Sequence, residues 1–333
     1  MCWNKSLVIV VLVVFVFLGG RAFAECPSAD ISGNCFVDLE DFATLSAAWL
    51  SDDSGSLNWN PACDISDPSD GVINELDLDV LISEWLDEGA FDLVWVTIND
   101  PGVSGHEGFN GEMSKYETTN AQYCEFLNAA LASGDITVVS NVVKGAIGSN
   151  SGEDFEDKIY FATYEASTSS QITYSGETFS VRSRDGHDMS NHPVVIVSWY
   201  GATAFCNYYG YRLPTEWEWQ AVADYDGTFN YGCGLTIDQT KANYHDNDSG
   251  YANPLGLTSS PYTSPVNHYS TYGYGMNDMA GNVCEWTSSV SGSDCVIRGG
   301  GSWFRPAIEC FVSSTLNRNP QSPNSDLGFR ACR

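Results

Sequence analysis

Four short motifs rich in glycine and tryptophan follow one another in the second half of the chain, and their order limits the folds open to it. The first reads RLPTEWEW at residues 212–219, where Thr215 and Glu218 have the spacing of a capping box and predict a helix start. Tryptophans are highly buried on average, and we assign Trp217 and Trp219 to the core. The other motifs are NDMAGNVCEW at 277–286, RGGGSW at 298–303 and LGFR at 327–330.

In this order the motifs resemble the formylglycine-generating enzyme family of sulfatase-modifying factors, over residues 91–333. The resemblance implies an α/β fold related to the C-type lectins, with short elements and many buried tryptophans. For oxidising members it also implies two neighbouring cysteines that bind copper(I), a soft metal suited to sulfur, beside the turn serine, here Ser302. In this chain Cys310 stands at the second cysteine position and Arg305 at the first.

Because Arg305 replaces the first cysteine, Cys310 alone cannot supply two sulfur ligands, and two different functions have to be considered. We expect a non-oxidising binding member that takes a peptide or a carbohydrate. Its ligand would meet two aromatic and two charged residues: Trp303, Phe304, Arg305 and Glu309. The alternative is a copper-dependent oxidase that converts a sulfatase cysteine to formylglycine, with Cys310 and Ser302 catalytic and a second thiol, such as Cys124 or Cys233, recruited in space. Whether the chain is an enzyme therefore stays open.

The same resemblance implies two structural calcium sites in this domain, built from oxygen ligands as a hard cation requires. The first combines two carboxylates with two backbone carbonyls: Asp278, Glu285, Gly281 and Val283. The second begins at Asn243 and Tyr244, with Asp246 or Asp248 as further ligands. Both calcium ions would stabilise long loops.

A repeat identifies a separate first domain. Residues 38–50 and 74–86 superpose at an offset of 36, and each predicts an amphipathic helix because its apolar residues recur every three and four positions. Six residues before and at the start of the first helix occupy positions 1, 3, 5, 7, 9 and 12 of a loop: Asp30, Ser32, Asn34, Phe36, Asp38 and Asp41. Before the second helix, positions 5, 7, 9 and 12 hold Asp70, Val72, Asn74 and Asp77.

This spacing is that of a calcium-binding loop, in which position 7 contributes its backbone carbonyl. Asp41 replaces the usual Glu, Cys35 stands at the turn glycine, and two extra residues in the second loop leave Asp64 and Ser66 as further candidates. Two such loops, each with a helix, resemble a type I dockerin, a small all-α, EF-hand-like module, over residues 25–87. The resemblance implies calcium-dependent folding and docking to a cohesin-like partner. The alternatives are a calcium-stabilised spacer without a partner and an assembly subunit whose dockerin half is the working part.

The N-terminal residues predict export. Residues 7–18 form an uninterrupted apolar run after Lys5, and small residues follow, so residues 1–24 have the pattern of a signal peptide. The run is shorter than the roughly 20 apolar residues that span a bilayer. We expect a secreted or extracytoplasmic protein, in a bacterial periplasm or at the cell surface, without membrane insertion after cleavage. A net charge of −29 argues against nucleic acid as a partner.

The chain has 11 cysteines, and the ten that remain after the signal peptide with Cys2 is removed predict disulfides in an exported protein. The family resemblance pairs Cys206 with Cys332, and Cys284 and Cys295 are near enough in sequence to pair across a hairpin. The sequence shows no conventional catalytic site, because its five histidines are scattered and it contains no HExxH, CxxC or GxSxG motif.

The local pattern also places several elements of the second domain. Residues 87–90 predict the boundary between the domains, and residues 91–96 alternate as in a strand. Thr118 or Thr119 should cap a helix, and Ser198 should cap another that ends at Gly210. Residues 194–197 predict a strand before that second helix. Residues 133–190, rich in small polar residues, predict a surface insertion.

Overall fold

The computed structural model describes residue 31 and residues 39–52, 56–66, 69–85, 93–103, 107–148, 153–300 and 305–333. The chain divides into two compact units, Met1–Asp92 and Leu93–Arg333. Residues 1–24, the expected signal peptide, lie outside the described residues. Within the described ranges, no helix combines the length and the apolar character needed to cross a bilayer.

The first unit contains the two helices that the repeat predicts, α1 (Leu39–Ala47) and α2 (Glu75–Trp85), with a 3₁₀ turn at Pro61–Cys63 between them. Its core is formed by Leu45, Ala48, Cys63, Ile73 and Leu81. Backbone hydrogen bonds join the segments next to the helices, from Leu50 N–H to the Ile73 carbonyl at 2.9 Å and from Ile73 N–H to the Ser51 carbonyl at 3.0 Å. The two halves of the repeat therefore meet through a short antiparallel bridge.

The second unit has three described helices, α3 (Asn120–Ser133), α4 (Trp199–Tyr208) and α5 (Glu216–Asp224). Its described strands, in chain order, are β1 (Trp95–Asn99), β2 (Asn110–Ser114), β3 (Ile136–Val139), β4 (Val142–Gly145), β5 (Ile159–Ala162), β6 (Ile172–Ser175), β7 (Thr178–Val181), β8 (Ser183–Arg184), β9 (His187–Asp188), β10 (His245–Asp246), β11 (Gly250–Tyr251), β12 (Cys284–Ser291), β13 (Asp294–Arg298), β14 (Leu316–Arg318) and β15 (Leu327–Gly328). Short strands and long connections of this kind are the α/β architecture that the resemblance implies.

One four-stranded sheet positions the motifs, in the order β14-β13-β12-β15. Its central pair β12–β13 is an antiparallel hairpin, in which Glu285 lies opposite Arg298. β15 runs parallel to β12, with Glu285 opposite Gly328. The sheet therefore brings the NDMAGNVCEW, RGGGSW and LGFR motifs together, although they are far apart in the chain.

The sequence predicts the helix starts because each is set by a local hydrogen bond. Thr119 caps α3 in a capping box with Gln122, and Thr215 caps α5 in another with Glu218. Ser198 accepts a hydrogen bond from the Gly201 N–H and caps α4, which ends at Tyr208, two residues before Gly210.

Aromatic side chains form much of the core around α3 and α4. The Tyr123 ring lies 5.3 Å from Phe161 and 6.0 Å from Phe205, and Phe205 lies 5.3 Å from Phe329. Trp219 is fully buried, as predicted, but Trp217 is 45% exposed. The assignment of Trp217 to the core is therefore wrong, because neighbouring positions on one helix point in different directions and α5 buries only one of them.

Three of the local predictions are corrected by the backbone. Residues 194–197 are buried but form no strand, and Ile196 has a left-handed φ of 62° that breaks an extended run. The first strand of the second unit begins at Trp95 and continues to Asn99, instead of covering residues 91–96. Residues 133–190 are not only a surface insertion, because five strands in this range, β3 to β7, bury apolar side chains such as Ile136, Val143, Phe161, Ile172 and Phe179.

Candidate functional site

Arg305 is held between two carboxylates. Its Nε donates to Asp326 Oδ2 at 3.0 Å, and its NH1 donates to Glu309 Oε2 at 2.8 Å. Arg305 is 9% exposed and Asp326 is 2% exposed, so the charge-assisted hydrogen bond between them is largely shielded from water, whereas the Glu309 side chain is 26% exposed. The residue at the sequence position that the resemblance gives to the first copper cysteine is therefore a paired cation. Ser302, Trp303 and Phe304 lie outside the described residues.

Cys310 ends the 3₁₀ turn Ala307–Cys310 and is fully buried. Its Sγ donates to the Gly300 carbonyl oxygen at 3.0 Å. Burial raises the pKa of the Cys310 thiol well above its ordinary value, and the neighbouring Cys284 and Cys233 raise it further. The thiolate is the reactive and metal-binding form, so this environment favours an unreactive thiol.

Two other thiols approach Cys310. Cys233 shares an apolar cluster with it, together with Ala242, Tyr244 and Ala280. Cys284, at the start of β12, is near enough to raise its pKa. Of the two thiols expected to be recruited, Cys233 is therefore brought to the site, whereas Cys124 lies on α3, where its sulfur accepts a hydrogen bond from Asn128 Nδ2 at 3.9 Å. The sequence reasoning missed Cys284 in this role, although it lies within the NDMAGNVCEW motif.

The hairpin pairing of Cys284 with Cys295 is wrong, because the register places Cys295 opposite Val290 and Cys284 beside Leu327. Cys206 and Cys332 are both buried free thiols in the structure. They lie close together, since Cys332 contributes to raising the pKa of Cys206 after burial. Their disulfide stays a prediction.

A buried acidic cluster includes Glu285 of β12. Glu285 accepts from Arg330 Nε at 2.7 Å and from Arg330 NH2 at 2.7 Å, and the Trp219 indole N–H donates to it at 2.8 Å. Glu117 accepts from Asn282 Nδ2 at 2.6 Å and from the Val283 N–H at 3.1 Å. Glu117, Glu285 and Arg330 are fully buried. The sequence reasoning missed Glu117, whose signal is its place in the polar run KYETTN before α3.

Asp278 completes this cluster and has no hydrogen-bonding partner in the described residues for either carboxylate oxygen, although both are buried. Burial raises the pKa of Asp278 to about 8; the Arg330 guanidinium opposes this and the Glu285 carboxylate adds to it. The pKa of Glu117 is also raised, by burial first and then by Asp278 and Glu285. Three buried carboxylates thus share one guanidinium, which explains why the pKa values of Glu117 and Asp278 are raised.

These residues fit a calcium ion at Asp278. Its two unpartnered oxygens are hard donors, the kind of ligand that calcium takes. Among the described residues, no group of three His, Cys, Asp or Glu side chains is placed to hold a metal. Further ligands would therefore come from backbone carbonyls, such as those of Gly281 and Val283. Glu285 is already paired with Arg330, so it would contribute mainly charge.

Gly281 also allows the loop to pack closely. It has a left-handed φ of 82°, and a Cβ there would lie 2.5 Å from the Asn243 carbonyl oxygen. The Asn282 N–H donates to the same oxygen at 2.8 Å. The two calcium regions that the resemblance implies are therefore adjacent in the fold.

The second predicted calcium site fits the ion less well. Asn243 keeps one buried side-chain oxygen that has no hydrogen-bonding partner in the part of the chain that the structure describes. However, the Tyr244 carbonyl accepts from Gln239 Nε2 at 3.2 Å and from the Ala252 N–H at 3.2 Å. Asp246 accepts from the backbone N–H groups of Asp248 and Ser249, both at 2.8 Å, and so stabilises its own turn.

In the first unit, only the second predicted loop can be compared with a calcium site. Asp30, Ser32, Asn34, Phe36 and Asp38 lie outside the described residues, and of Asp41 only its place in α1 is described.

In that second loop, Asp64 Oδ2 accepts from the Gly71 N–H at 3.0 Å, and Asp64 Oδ1 is buried without a partner in the described residues. Asp77 accepts from the backbone N–H groups of Ile65, Ser66 and Asn74. Asp70 Oδ1 accepts from the Val72 N–H at 2.9 Å. The two extra residues therefore do not remove Asp64 from the loop, and its free oxygen fits a cation.

Comparison with known proteins adds a family match. Residues 107–333 match the model of the sulfatase-modifying factor enzyme 1-like domain. The match begins after β1, whereas the motifs implied a resemblance from residue 91.

Three curated relatives illustrate the range of similar proteins. Formylglycine-generating enzyme of Mus musculus is 30% identical over 251 residues, which are 66% of this chain and 64% of that protein. Inactive C-alpha-formylglycine-generating enzyme 2 of Mus musculus is 33% identical over 153 residues, 41% of this chain and 48% of that protein. Serine/threonine-protein kinase pkn1 of Chlamydia caviae is 33% identical over 166 residues, 43% of this chain and 24% of the kinase. The chain thus spans about a quarter of the length of some relatives, and the relatives include a protein named inactive.

Proposed function

The chain belongs to the sulfatase-modifying factor enzyme 1-like domain family, and we propose that its second unit is a non-oxidising binding member of that family. The family contains both a formylglycine-generating enzyme and a relative named inactive, so membership alone does not decide between the two activities. The residues around Cys310 favour the binding role.

The observation that carries the proposal is the double ion pair of Arg305. A copper(I) ion held by two sulfurs needs a second thiolate beside Cys310. At that position the chain has a guanidinium bound to Asp326 and Glu309 at 3.0 and 2.8 Å. A metal cation entering there would face a fixed positive charge, and displacing Arg305 would leave the nearly buried Asp326 carboxylate unpaired.

The state of Cys310 supports the same conclusion. A catalytic cysteine needs a lowered pKa and access to its substrate. Cys310 is fully buried, its thiol donates to the Gly300 carbonyl, and its pKa is raised well above the ordinary value. We therefore assign Cys310 to packing instead of catalysis.

The ligand class follows from the turn that contains these residues. Ile308 is 69% exposed, and Glu309 offers a partly exposed carboxylate beside it. Together with Trp303 and Phe304 they would give a peptide or a carbohydrate an apolar surface and a polar contact. Because Arg305 is nearly buried and paired, it would fix the turn, and Glu309 would make the polar contact.

The second candidate function is the copper-dependent oxidase, favoured by one observation. Cys233 packs in the same cluster as Cys310, and Cys284 is near enough to affect its pKa. Either thiol could serve as the second sulfur ligand if Cys310 lost its proton. Ser302 would then stand beside the metal, as the family resemblance implies.

A copper(I) titration under reducing conditions tests the choice between the two functions. We expect no stoichiometric binding, and no oxygen-dependent mass loss of about 18 Da from a peptide with a sulfatase Cys-x-Pro-x-Arg motif, since a mainly neutral buried thiol is a poor copper ligand. Mass spectrometry of the peptide provides the activity readout.

The variants Cys310→Ser, Cys233→Ser and Cys284→Ser identify the sulfurs if copper does bind. Cys295→Ser is the matched control, because Cys295 is a buried cysteine on β13 outside this cluster. Stoichiometric copper and peptide conversion, both lost with Cys310→Ser and retained with Cys295→Ser, would establish the oxidase and reject the binding proposal.

For the first unit, the proposal is an exported calcium-binding dockerin that docks to a cohesin-like protein. Two helices at the predicted repeat positions and the unpartnered Asp64 oxygen support a calcium-binding module. Export rests on the signal pattern of residues 1–24. A cohesin-like partner rests on the dockerin resemblance alone, and a calcium-stabilised spacer is the alternative.

Replacing Asp64 by Asn is expected to weaken one calcium site of the full chain at least about tenfold, because calcium affinity depends on the number of charged ligands. Isothermal titration calorimetry gives the number of sites and their affinities. Glu75→Gln is the control, since Glu75 is an exposed acid at the start of α2. Equal calcium affinity in the Asp64 variant and the wild type would argue against a calcium loop here.

A further inference from the structure

Two buried cysteines, Cys233 and Cys310, lie in one apolar cluster, which Ala242, Tyr244 and Ala280 complete. Cys233 is 5% exposed and Cys310 is 0% exposed. Both are free thiols in the structure, which therefore shows this pair in its reduced form. Because more than 70 positions separate the two cysteines in the chain, only the fold brings them into the same cluster.

The backbone places the two segments that carry these cysteines side by side. Tyr231 and Phe311 form an antiparallel bridge, and the Val312 N–H donates to the Asn230 carbonyl at 2.9 Å. The Tyr231 and Phe311 rings stack on this bridge with their centroids 4.5 Å apart. In an antiparallel pair, a step forward on one segment meets a step back on the other. The cysteine just before Phe311 therefore meets the turn that follows Tyr231, and this turn contains the other cysteine.

A tight turn holds Cys233 at this place. The Tyr231 N–H donates to the Gly234 carbonyl, and the Gly234 N–H donates to the Tyr231 carbonyl, both at 2.9 Å. Cys233 is thus one of the two residues at the tip of a closed hairpin. Gly232, the other tip residue, packs so closely against Met279 that a Cβ there would overlap the Met279 carbonyl oxygen. Backbone contacts on both sides therefore set the position of Cys233.

Electrostatic effects agree that the two thiols are close. After burial, both thiols contribute to raising the pKa of the Tyr231 phenol, and Cys233 contributes to raising the pKa of Cys310. Cys284 also approaches Cys310, but its backbone is paired with Leu327 of β15. The backbone of Tyr231, in contrast, is paired with the residue next to Cys310. The register therefore favours Cys233 as the partner of Cys310.

We propose that Cys233 and Cys310 form a disulfide that ties the Arg305 turn to the hairpin at residues 231–234. The bond forms by thiol–disulfide exchange with a small-molecule disulfide such as glutathione disulfide. The Cys233 thiolate attacks one sulfur of the oxidant and releases one thiol, and the Cys310 thiolate then attacks the Cys233 sulfur of the mixed disulfide and releases the second. The cysteine pair loses two electrons to the oxidant, and the two cysteine protons end on the two released thiols.

The bond forms while the cluster is still open. In the folded chain, burial raises the pKa of the Cys233 thiol to about 11 and that of Cys310 well above its ordinary value. The thiolate is the attacking form, so buried and mainly protonated thiols exchange slowly. An oxidant therefore has to act during folding, and burial then protects the finished bond against reduction.

The bond does not depend on the proposed binding role, but it has a consequence for the copper-dependent alternative. A disulfide sulfur is not a thiolate, so neither cysteine of the oxidised protein could hold copper(I). The copper titration under reducing conditions tests the function of the reduced protein, whereas the bond belongs to the oxidised protein. Either result can therefore fail without the other.

Peptide mapping of the full chain, refolded in a mixture of reduced and oxidised glutathione, tests the proposal. N-ethylmaleimide is added in denaturant without a reductant and blocks the remaining thiols, and mass spectrometry identifies the linked peptides. We expect a linked pair that contains Cys233 and Cys310 and is two hydrogen atoms lighter than its two peptides together. Reduction with dithiothreitol should replace this pair by two separate peptides.

Single variants identify the two sulfurs independently. Cys233→Ser should leave Cys310 fully alkylated, and Cys310→Ser should leave Cys233 fully alkylated. Cys295→Ser is the matched control, a buried cysteine on β13, and should retain the bond. Alkylation of both thiols in the refolded wild type, or a link from Cys310 to Cys284 in place of Cys233, would overturn the proposal. The wild-type map gives this answer even if a variant fails to fold.

Discussion

Arg330→Gln is expected to destabilise the second unit by about 3–5 kcal/mol, the usual cost of removing one partner from a buried ion pair. Arg330 is fully buried and donates to both oxygens of Glu285 at 2.7 Å, and to the carbonyls of Ser114, Lys115 and Asn277 at 3.0–3.1 Å. Whole proteins are usually stable by about 5–15 kcal/mol. A large fraction of the variant should therefore be unfolded at low urea, as measured by tryptophan fluorescence and circular dichroism.

Arg333→Gln is the matched control. Arg333 also pairs with a carboxylate, Glu112, at 2.7 Å, but its side chain is 46% exposed. An exposed pair of this kind contributes about 0–1 kcal/mol. The double variant Arg330→Gln/Glu285→Gln should recover part of the loss, because it removes the buried charge that the single variant leaves unpaired. Equal losses in the two single arginine variants would show that Arg330 does not hold the acidic cluster together.

Asp278→Asn is expected to have opposite effects with and without calcium. In EDTA at pH 8 it should raise the free energy of unfolding by at least about 1.4 kcal/mol, the equivalent of one pKa unit. The folded state raises the pKa of Asp278 from 3.8 to about 8, first through burial. Between these two values the folded state binds more protons than the unfolded state, so the stability of the wild type falls as pH rises. The gain from Asn should therefore be small near pH 4 and increase towards pH 8.

In calcium, the wild type should be more stable than Asp278→Asn. A ligand present at 100 times its dissociation constant stabilises the folded state by about 2.7 kcal/mol, and Asn at position 278 would lose most of that gain. Urea unfolding at several pH values, in EDTA and in calcium, gives all of these quantities. Asp154→Asn, an exposed acid outside the cluster, should behave as the wild type. If calcium stabilises Asp278→Asn as much as the wild type, the ion is not bound at Asp278.

The sequence predicts those parts of the fold that depend on local chemistry. The caps at Thr119, Ser198 and Thr215 are each made by a side chain and a backbone N–H three residues later, so spacing alone reveals them. The helical repeat of the first unit is equally local. The run at residues 194–197 misleads because it is read locally. Its apolar residues are buried as expected, but among the described residues it makes only an isolated bridge, between Val197 and Phe161 of β5.

The candidate site could be predicted only in part, because long-range contacts assemble it. Asp278 and Glu285 belong to one motif, but Glu117 joins them from more than 150 positions away and no local pattern connects the two. The two partners of Arg305 also differ in how far they lie from it in sequence. Glu309 is one helical turn away, whereas Asp326 reaches Arg305 only because β15 pairs with β12. The sequence predicts that Cys284 pairs with Cys295 across a hairpin, but the register separates these two residues. Cys284 lies near Cys310 instead, since it contributes to raising the pKa of that thiol.

The last residues of the chain make backbone contacts with the first strands of the second unit. The Ser114 N–H donates to the Ala331 carbonyl, the Glu112 N–H to the Arg333 carbonyl and the Thr118 N–H to the Phe329 carbonyl. These pairings span more than 200 residues, and Arg330 is buried among them. During synthesis, β2 and the start of α3 must therefore wait for almost the whole unit before they meet their partners. Such distant contacts slow folding and leave strand edges exposed in the meantime, so the unfinished unit would benefit from protection until residues 329–333 have been made.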